Sequence, residues 1–164
     1  MKTTKYIFRI NYAEYHAFIR NEAKNGILRQ GWGKDGTDIK GGRDRFVSCW
    51  EQNPAYFGRK FHNISTMLDM KLGDIIVVPK LNLDNCGDDR RFFSVFECTG
   101  FYCFDLPETV NDFGHTIPVK KLGSFRYDGG KAENKLSDSF RYYRSSVNRV
   151  KKEEISELID SVIS

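Results

Sequence analysis

No apolar run in this chain of 164 residues approaches the roughly twenty that a membrane-spanning helix needs, so a helical membrane protein is excluded. Cysteine is sparse and poorly spaced for metal. Of the four, only Cys98 and Cys103 lie close together, and no second close pair completes a zinc pattern. Residues 1–5 are polar and run directly into a strand-like segment, without the charged and apolar regions of a secretory leader. Reduced thiols in the cytoplasm are therefore expected, with no metal and no cofactor. The sequence also lacks a Gly-x-x-x-x-Gly-Lys phosphate loop, a nucleophile elbow and a His-Glu-x-x-His helix. What comes nearest to catalysis is the acid pair Asp74 and Glu97. A magnesium-dependent nuclease would want a lysine just after the second acid, and Thr99 stands there instead. A small metal-dependent hydrolase acting on nucleotides is thus the weakest reading, and a non-catalytic module leads.

What the chain has in excess is aromatic side chains, 14% of all residues, with thirteen Phe and eight Tyr. Aromatics favour pleated surfaces and also build base-stacking pockets, so the excess supports a sheet and permits a ligand site. Hydrophobic content of 40% and charged content of 29% are ordinary for a globular chain. At this size a single core burying roughly two thirds of the unfolded surface is expected. The formal net charge is +4, and its distribution says more than its total. Residues 126–152 hold eight Lys and Arg, among them Arg141 and Arg144, against Asp128, Glu133 and Asp138, which predicts a local positive face.

Along the chain, Tyr6-Ile7-Phe8-Arg9-Ile10 reads as an opening strand. Asn11 then caps a helix to Ala23, with Tyr12, Tyr15, Phe18 and Ile19 at helical spacing. Residues 27–33 form a second short strand ending at Trp32 between two glycines. Residues 34–43 lack any apolar period and predict a mobile loop. Phe46, Val47, Trp50, Tyr56 and Phe57 suggest helix interrupted near Pro54. Gly73-Asp74 turns into the buried strand 75–78, which Pro79 ends or places at an edge. After the polar loop 82–91 come strands at 92–98 and 101–104, hinged at Gly100, where a bulge or bend is expected, and a last strand region at 116–127. From residue 136 the apolar spacing fits one broken or two successive amphipathic helices. The fold class is therefore α+β: a curved, mostly antiparallel sheet or partial β-barrel with peripheral helices. Residues 1–164 make a single domain, with a helical extension over about 136–164.

The order of Gly26-Ile27-Leu28-Arg29-Gln30-Gly31-Trp32-Gly33, Leu72-Gly73-Asp74-Ile75-Ile76-Val77-Val78-Pro79, the strands from Phe93 to Asp105, and His115-Thr116-Ile117-Pro118-Val119 resembles the PUA-like superfamily. That group includes the EVE, YTH and ASCH domains and sensor domains of modification-dependent restriction enzymes. The resemblance spans about two thirds of the chain. It implies a strongly curved sheet and a pocket in which a modified or flipped base is held by aromatic walls, in a restriction or defence setting. Trp32, Trp50, Tyr102 and Phe104 are the candidate walls, and Asp105 and Ser65 the candidate edge readers. Arg43, Arg45, Arg59 and Lys60, with Arg141 and Arg144 of the basic tail, are the candidates for the phosphate backbone. The implied partner is nucleic acid, DNA ahead of RNA.

Each candidate has a plainer reading. Trp32 closes the core as readily as it walls a pocket. Trp50 shares the helical period of Phe46 and Val47 and reads first as core. Tyr102 and Phe104 alternate with Phe101 and Cys103, so one pair faces inward. His115, alone in a loop with no activating group near in sequence, reads as solvated. The basic tail is either a phosphate-binding face or the solvated side of a docked helix. The main alternative to nucleic-acid binding is a protein-interaction domain that docks a partner through Leu158, Ile159 and Val162 of the C-terminal helices.

Overall fold

A computed structural model describes residues 2–11, 14–84 and 89–164. Tyr12 and the centre of the predicted polar loop, residues 85–88, lie outside the described residues. In chain order the elements are β1 (Lys5–Phe8), α1 (His16–Lys24), β2 (Ile27–Gln30), α2 (Arg43–Ser48), α3 (Pro54–Ser65), β3 (Ile75–Pro79), β4 (Phe92–Cys98), β5 (Cys103–Phe104), β6 (His115–Arg126), α4 (Lys131–Ser139), β7 (Val147–Arg149) and α5 (Glu153–Ile163). The fold is α+β, and its sheet curls into a half-barrel in the order β2-β6-β4-β3-β1-β7. Among the described residues β1 and β3 run parallel, and the other pairings are antiparallel.

The two-faced burial of the sheet follows from its strand sequences. Ile75, Ile76, Val77 and Val78 are all buried because β3 lies centrally and both of its faces are covered. On one face Tyr6, Phe8, Ile76, Val78, Phe96 and Cys98 pack with Phe46, Ile64 and Met67 from the α2–α3 side. On the other, Ile7, Val77, Phe93 and Val95 pack with Leu136 and Phe140 and with Ile155, Ile159 and Val162 of α5. Those last three recur at i, i+4 and i+7, one helical stripe, and each contributes about 1.5–3 kcal/mol by burial. The apolar stripe of α5, which the sequence offered to a partner, is thus spent largely on the protein's own sheet. Ile159 is fully buried there, and only Leu158 of the three named residues is half-buried.

The long strand β6 makes the curl. Its first residues pair with β2 on one side and β5 on the other, while residues 119–126 pair with β4. Between Val95↔Gly123 and Phe96↔Lys121 the register steps by one and leaves Leu122 unpaired. This bulge bends the sheet, and the bend expected at Gly100 is present as well: between Cys98↔Val119 and Cys103↔Thr116 the β4–β5 side is two residues longer than β6. At Gly100 a Cβ would stand 2.7 Å from the Pro118 ring, so glycine there serves close approach.

Several boundaries differ from the sequence reading. Helix α1 starts at His16, without a capping side chain, and not at Asn11. Pro54 opens α3 as its first residue instead of interrupting a helix, with the Asn53 side chain accepting from the Tyr56 N–H. The glycine-rich segment 34–43 is packed and not a loose loop: Thr37 and Ile39 are buried, and Asp38 caps a short 3₁₀ turn at Ile39–Gly41. The tail is not helix throughout, since β7 returns to the sheet and pairs antiparallel with β1.

Candidate functional site

A cleft of about 920 Å³ opens where the two ends of the curled sheet meet. Gln30, the last residue of β2, donates through its side-chain amide to the carbonyls of Arg9 and Ser146, which follow β1 and precede β7. Its amide oxygen accepts from the Gly31 N–H. One side chain therefore ties the β2 edge to the β1–β7 edge and floors the cleft.

Directly after Gln30 the chain makes an irregular turn. Trp32 adopts φ 66°, left-handed space that costs a bulky residue about 1–2 kcal/mol. Four contacts over-determine it. Besides the Gln30–Gly31 bond, Nε2 of His115 donates to the Trp32 carbonyl at 3.0 Å, Asp112 Oδ1 accepts from the Gly33 N–H at 2.9 Å, and Gly33 O accepts from the Gly114 N–H at 2.9 Å. Gly33 and Gly114 approach so closely that a Cβ on Gly33 would lie 2.4 Å from the Gly114 nitrogen.

His115 is fully buried as the first residue of β6, not solvated in a loop. Its ring packs against Phe46 and Phe104. Burial lowers its pKa from 6.5 to about 4, so the ring is neutral at physiological pH. With Nε2 carrying the proton toward Trp32, Nδ1 accepts from the Tyr102 hydroxyl at 2.8 Å. Burial, helped by Asp38, also raises the pKa of that phenol.

Around Trp32 stands an aromatic cluster. Trp50 and Phe57 stack with centroids 4.7 Å apart and planes 2° apart, and both meet Trp32 edge-on. Tyr56 meets Trp32 edge-on as well, at 5.9 Å, and these two are the rings that line the cleft. Lys60 Nζ sits over both, 5.3 Å from the Trp32 ring and 5.4 Å from Tyr56. Arg9, Lys80, Arg90 and Arg144 complete a cationic lining in which Asp89 and Asp112 are the acids. Both acids are engaged: Asp112 on backbone N–H groups, Asp89 on the Asn82 N–H and on His16.

Of the residues expected at the site, the structure brings Trp32, Lys60 and Arg144 together on the cleft. Trp50 lies behind Trp32, with Lys34 over its ring at 4.2 Å. Tyr102, 4% exposed, and the half-buried Phe104 form the inward pair of their segment, while Phe101 and Cys103 face out. They pack on the far side of His115 and do not line the cleft. Asp105 ion-pairs with the buried Arg29, which also holds Glu22. Ser65 donates to the His62 carbonyl at the end of α3. Arg43 lies along Gly58, Arg45 along Gly41, and Arg59 is exposed on α3, all outside the cleft lining. Arg141 belongs to a second groove. Tyr56, Arg9 and Arg90 are cleft residues that spacing did not single out. Tyr56 carried a signal, since it lies four residues before Lys60 on one helix face.

Asp74 is 1% exposed, and its two oxygens accept from the N–H groups of Thr4 and Lys71. Its carboxylate closes the turn into β3. Among the described residues no helix is long and apolar enough to cross a membrane.

No protein-family model matches the chain, and no curated protein matches it. A similar solved structure is protein Atu2648 from Agrobacterium tumefaciens, 15% identical, with a TM-score of 0.42 over 97% of this chain and 92% of that one.

Proposed function

We propose that the domain is a non-catalytic nucleic-acid-binding module that takes a base, modified or flipped from a duplex, into the cleft beside Trp32. DNA is the favoured polymer. The observation that carries this reading is the coincidence, in one cleft of about 920 Å³, of two aromatic walls with a predominantly cationic lining. Stacking on an aromatic face is worth about 1–3 kcal/mol per base, enough to offset the few kcal/mol of unstacking it from a duplex. Because Trp32 and Tyr56 touch edge-on, a base stacks on one ring and is not sandwiched between the two. Lys60 stands where it meets either a phosphate or the electron-rich edge of the base, and Arg144 lines the same cleft.

Fluorescence anisotropy with methylated and unmethylated DNA and RNA oligonucleotides, at about 50 and about 200 mM salt, tests the reading. Binding should weaken with salt. Lys60→Gln should reduce the slope of log K against log salt by about 0.7–0.9. Tyr56→Ala should weaken binding about tenfold or more at both salt concentrations, as loss of a stacking face does. Absence of binding to every oligonucleotide at the lower salt would overturn it.

A further inference from the structure

The cleft does not use the basic tail beyond Arg144, yet five of the other seven cations of that tail converge on a second groove of about 610 Å³ between α4, β7 and the start of α5. Lys135, Arg141, Arg149, Lys151 and Lys152 line it, against Asp138 and Glu154. Among the described residues none of these five cations makes an ion pair. Tyr142 stands at its edge, 68% exposed, with Arg141 5.0 Å and Lys152 5.7 Å from its ring centre. Like charges gathered around an exposed aromatic ring repel one another until an anion joins them.

The two sites share a ridge. Arg144, on the cleft side, donates through Nε to the carbonyl of Arg141, on the groove side. From beneath, Arg9 donates to the carbonyls of Phe140 and Tyr143, and Phe140 is buried against Phe93. The ridge is thereby fixed to β1 and β4, so cleft and groove keep one spacing. Resting on the nucleic-acid reading above, we propose that the groove is an extension of the site: the phosphates flanking the base held in the cleft cross the ridge at Arg144 and Arg141 and are bound by Lys151 and Lys152. The partner is then a strand several nucleotides long, and a free nucleoside is not its ligand.

Two DNA oligonucleotides separate the two sites, one of about four nucleotides that fills the cleft alone and one of about twelve that reaches the groove. For the double variant Arg141→Gln/Lys152→Gln, the longer strand should lose about 0.7 of its salt slope for each charge removed, with the short strand unchanged. Tyr142→Ala should weaken only the longer strand. If the variants leave the longer strand unaffected, or weaken both strands equally, the groove has no such role while the cleft reading stands. If the wild-type protein binds neither strand, the extension falls, and the cleft reading falls with it only when the methylated and RNA oligonucleotides also fail to bind.

Discussion

Nε2 of His115 donates to the backbone carbonyl of Trp32 across 83 positions of sequence, so a buried neutral imidazole holds the cleft's tryptophan in left-handed backbone. The same ring accepts from Tyr102, so residues that never touch the cleft still set the angle of its wall. Cleft geometry is therefore tied to the protonation and packing of the core behind it.

That link gives a pH dependence. His115 has a pKa of about 4 when folded against 6.5 otherwise, so the unfolded chain takes up a proton in that window which the folded chain refuses. Stability should be full above 6.5 and fall as pH drops toward 4, the loss from this group reaching about 3 kcal/mol. Urea unfolding of wild type and His115→Gln at several pH values checks it. The variant should be the less stable at neutral pH, with a shallower loss on acidification; identical slopes would show that His115 contributes nothing to it.

Gly33→Ala should destabilise the fold by about 2–4 kcal/mol, because the added methyl meets the backbone of Gly114 and not a side chain that can swing away. Gly31→Ala is the control, since neither glycine has positive φ and a Cβ at Gly31 meets only the Phe113 ring at 3.8 Å, an ordinary contact. Thermal unfolding of the two should differ, with Gly33→Ala the lower in Tm.

Replacing Gln30 with Leu leaves the carbonyls of Arg9 and Ser146 and the Gly31 N–H without their side-chain partner. About 1–3 kcal/mol of stability should be lost. Hydrogen exchange should quicken around residues 9, 31 and 146 ahead of the central strands β3 and β4. Uniform quickening throughout the sheet would contradict a local tie.

Asp74→Ala tests the turn. Loss of two backbone-to-carboxylate bonds should cost about 2–3 kcal/mol. Binding measured below the unfolding transition should be unchanged. A metal-dependent turnover of nucleotides that vanished in this variant would instead revive the hydrolase reading.

Much of the sheet was legible in the sequence because its signals are local. Four consecutive branched residues before Pro79 and the short run of β-formers through 92–98 read as strands, and they are β3 and β4. The strand β7 was not legible. Val147, Asn148 and Arg149 lie amid helix-like spacing, and they become a strand only because β1 offers an open edge. Of the site, Trp32 stood out by its flanking glycines. Tyr102 and Phe104 had the same composition signal, and nothing local tells an inward ring from a cleft wall.

By itself, then, the sequence determined the strand-forming runs, the turn at Gly73-Asp74, the apolar stripe of α5 and the excess of cations near the C-terminus. These depend on neighbours within a few residues, and their periods survive in any fold. Tertiary structure alone decided which aromatic rings line the cleft, that His115 is core, and that Gln30 closes the half-barrel. Each of those rests on partners far away in the chain, from 13 positions for Tyr102 with His115 to 116 for Gln30 with Ser146, brought together only once the bulge at Leu122 has bent the sheet.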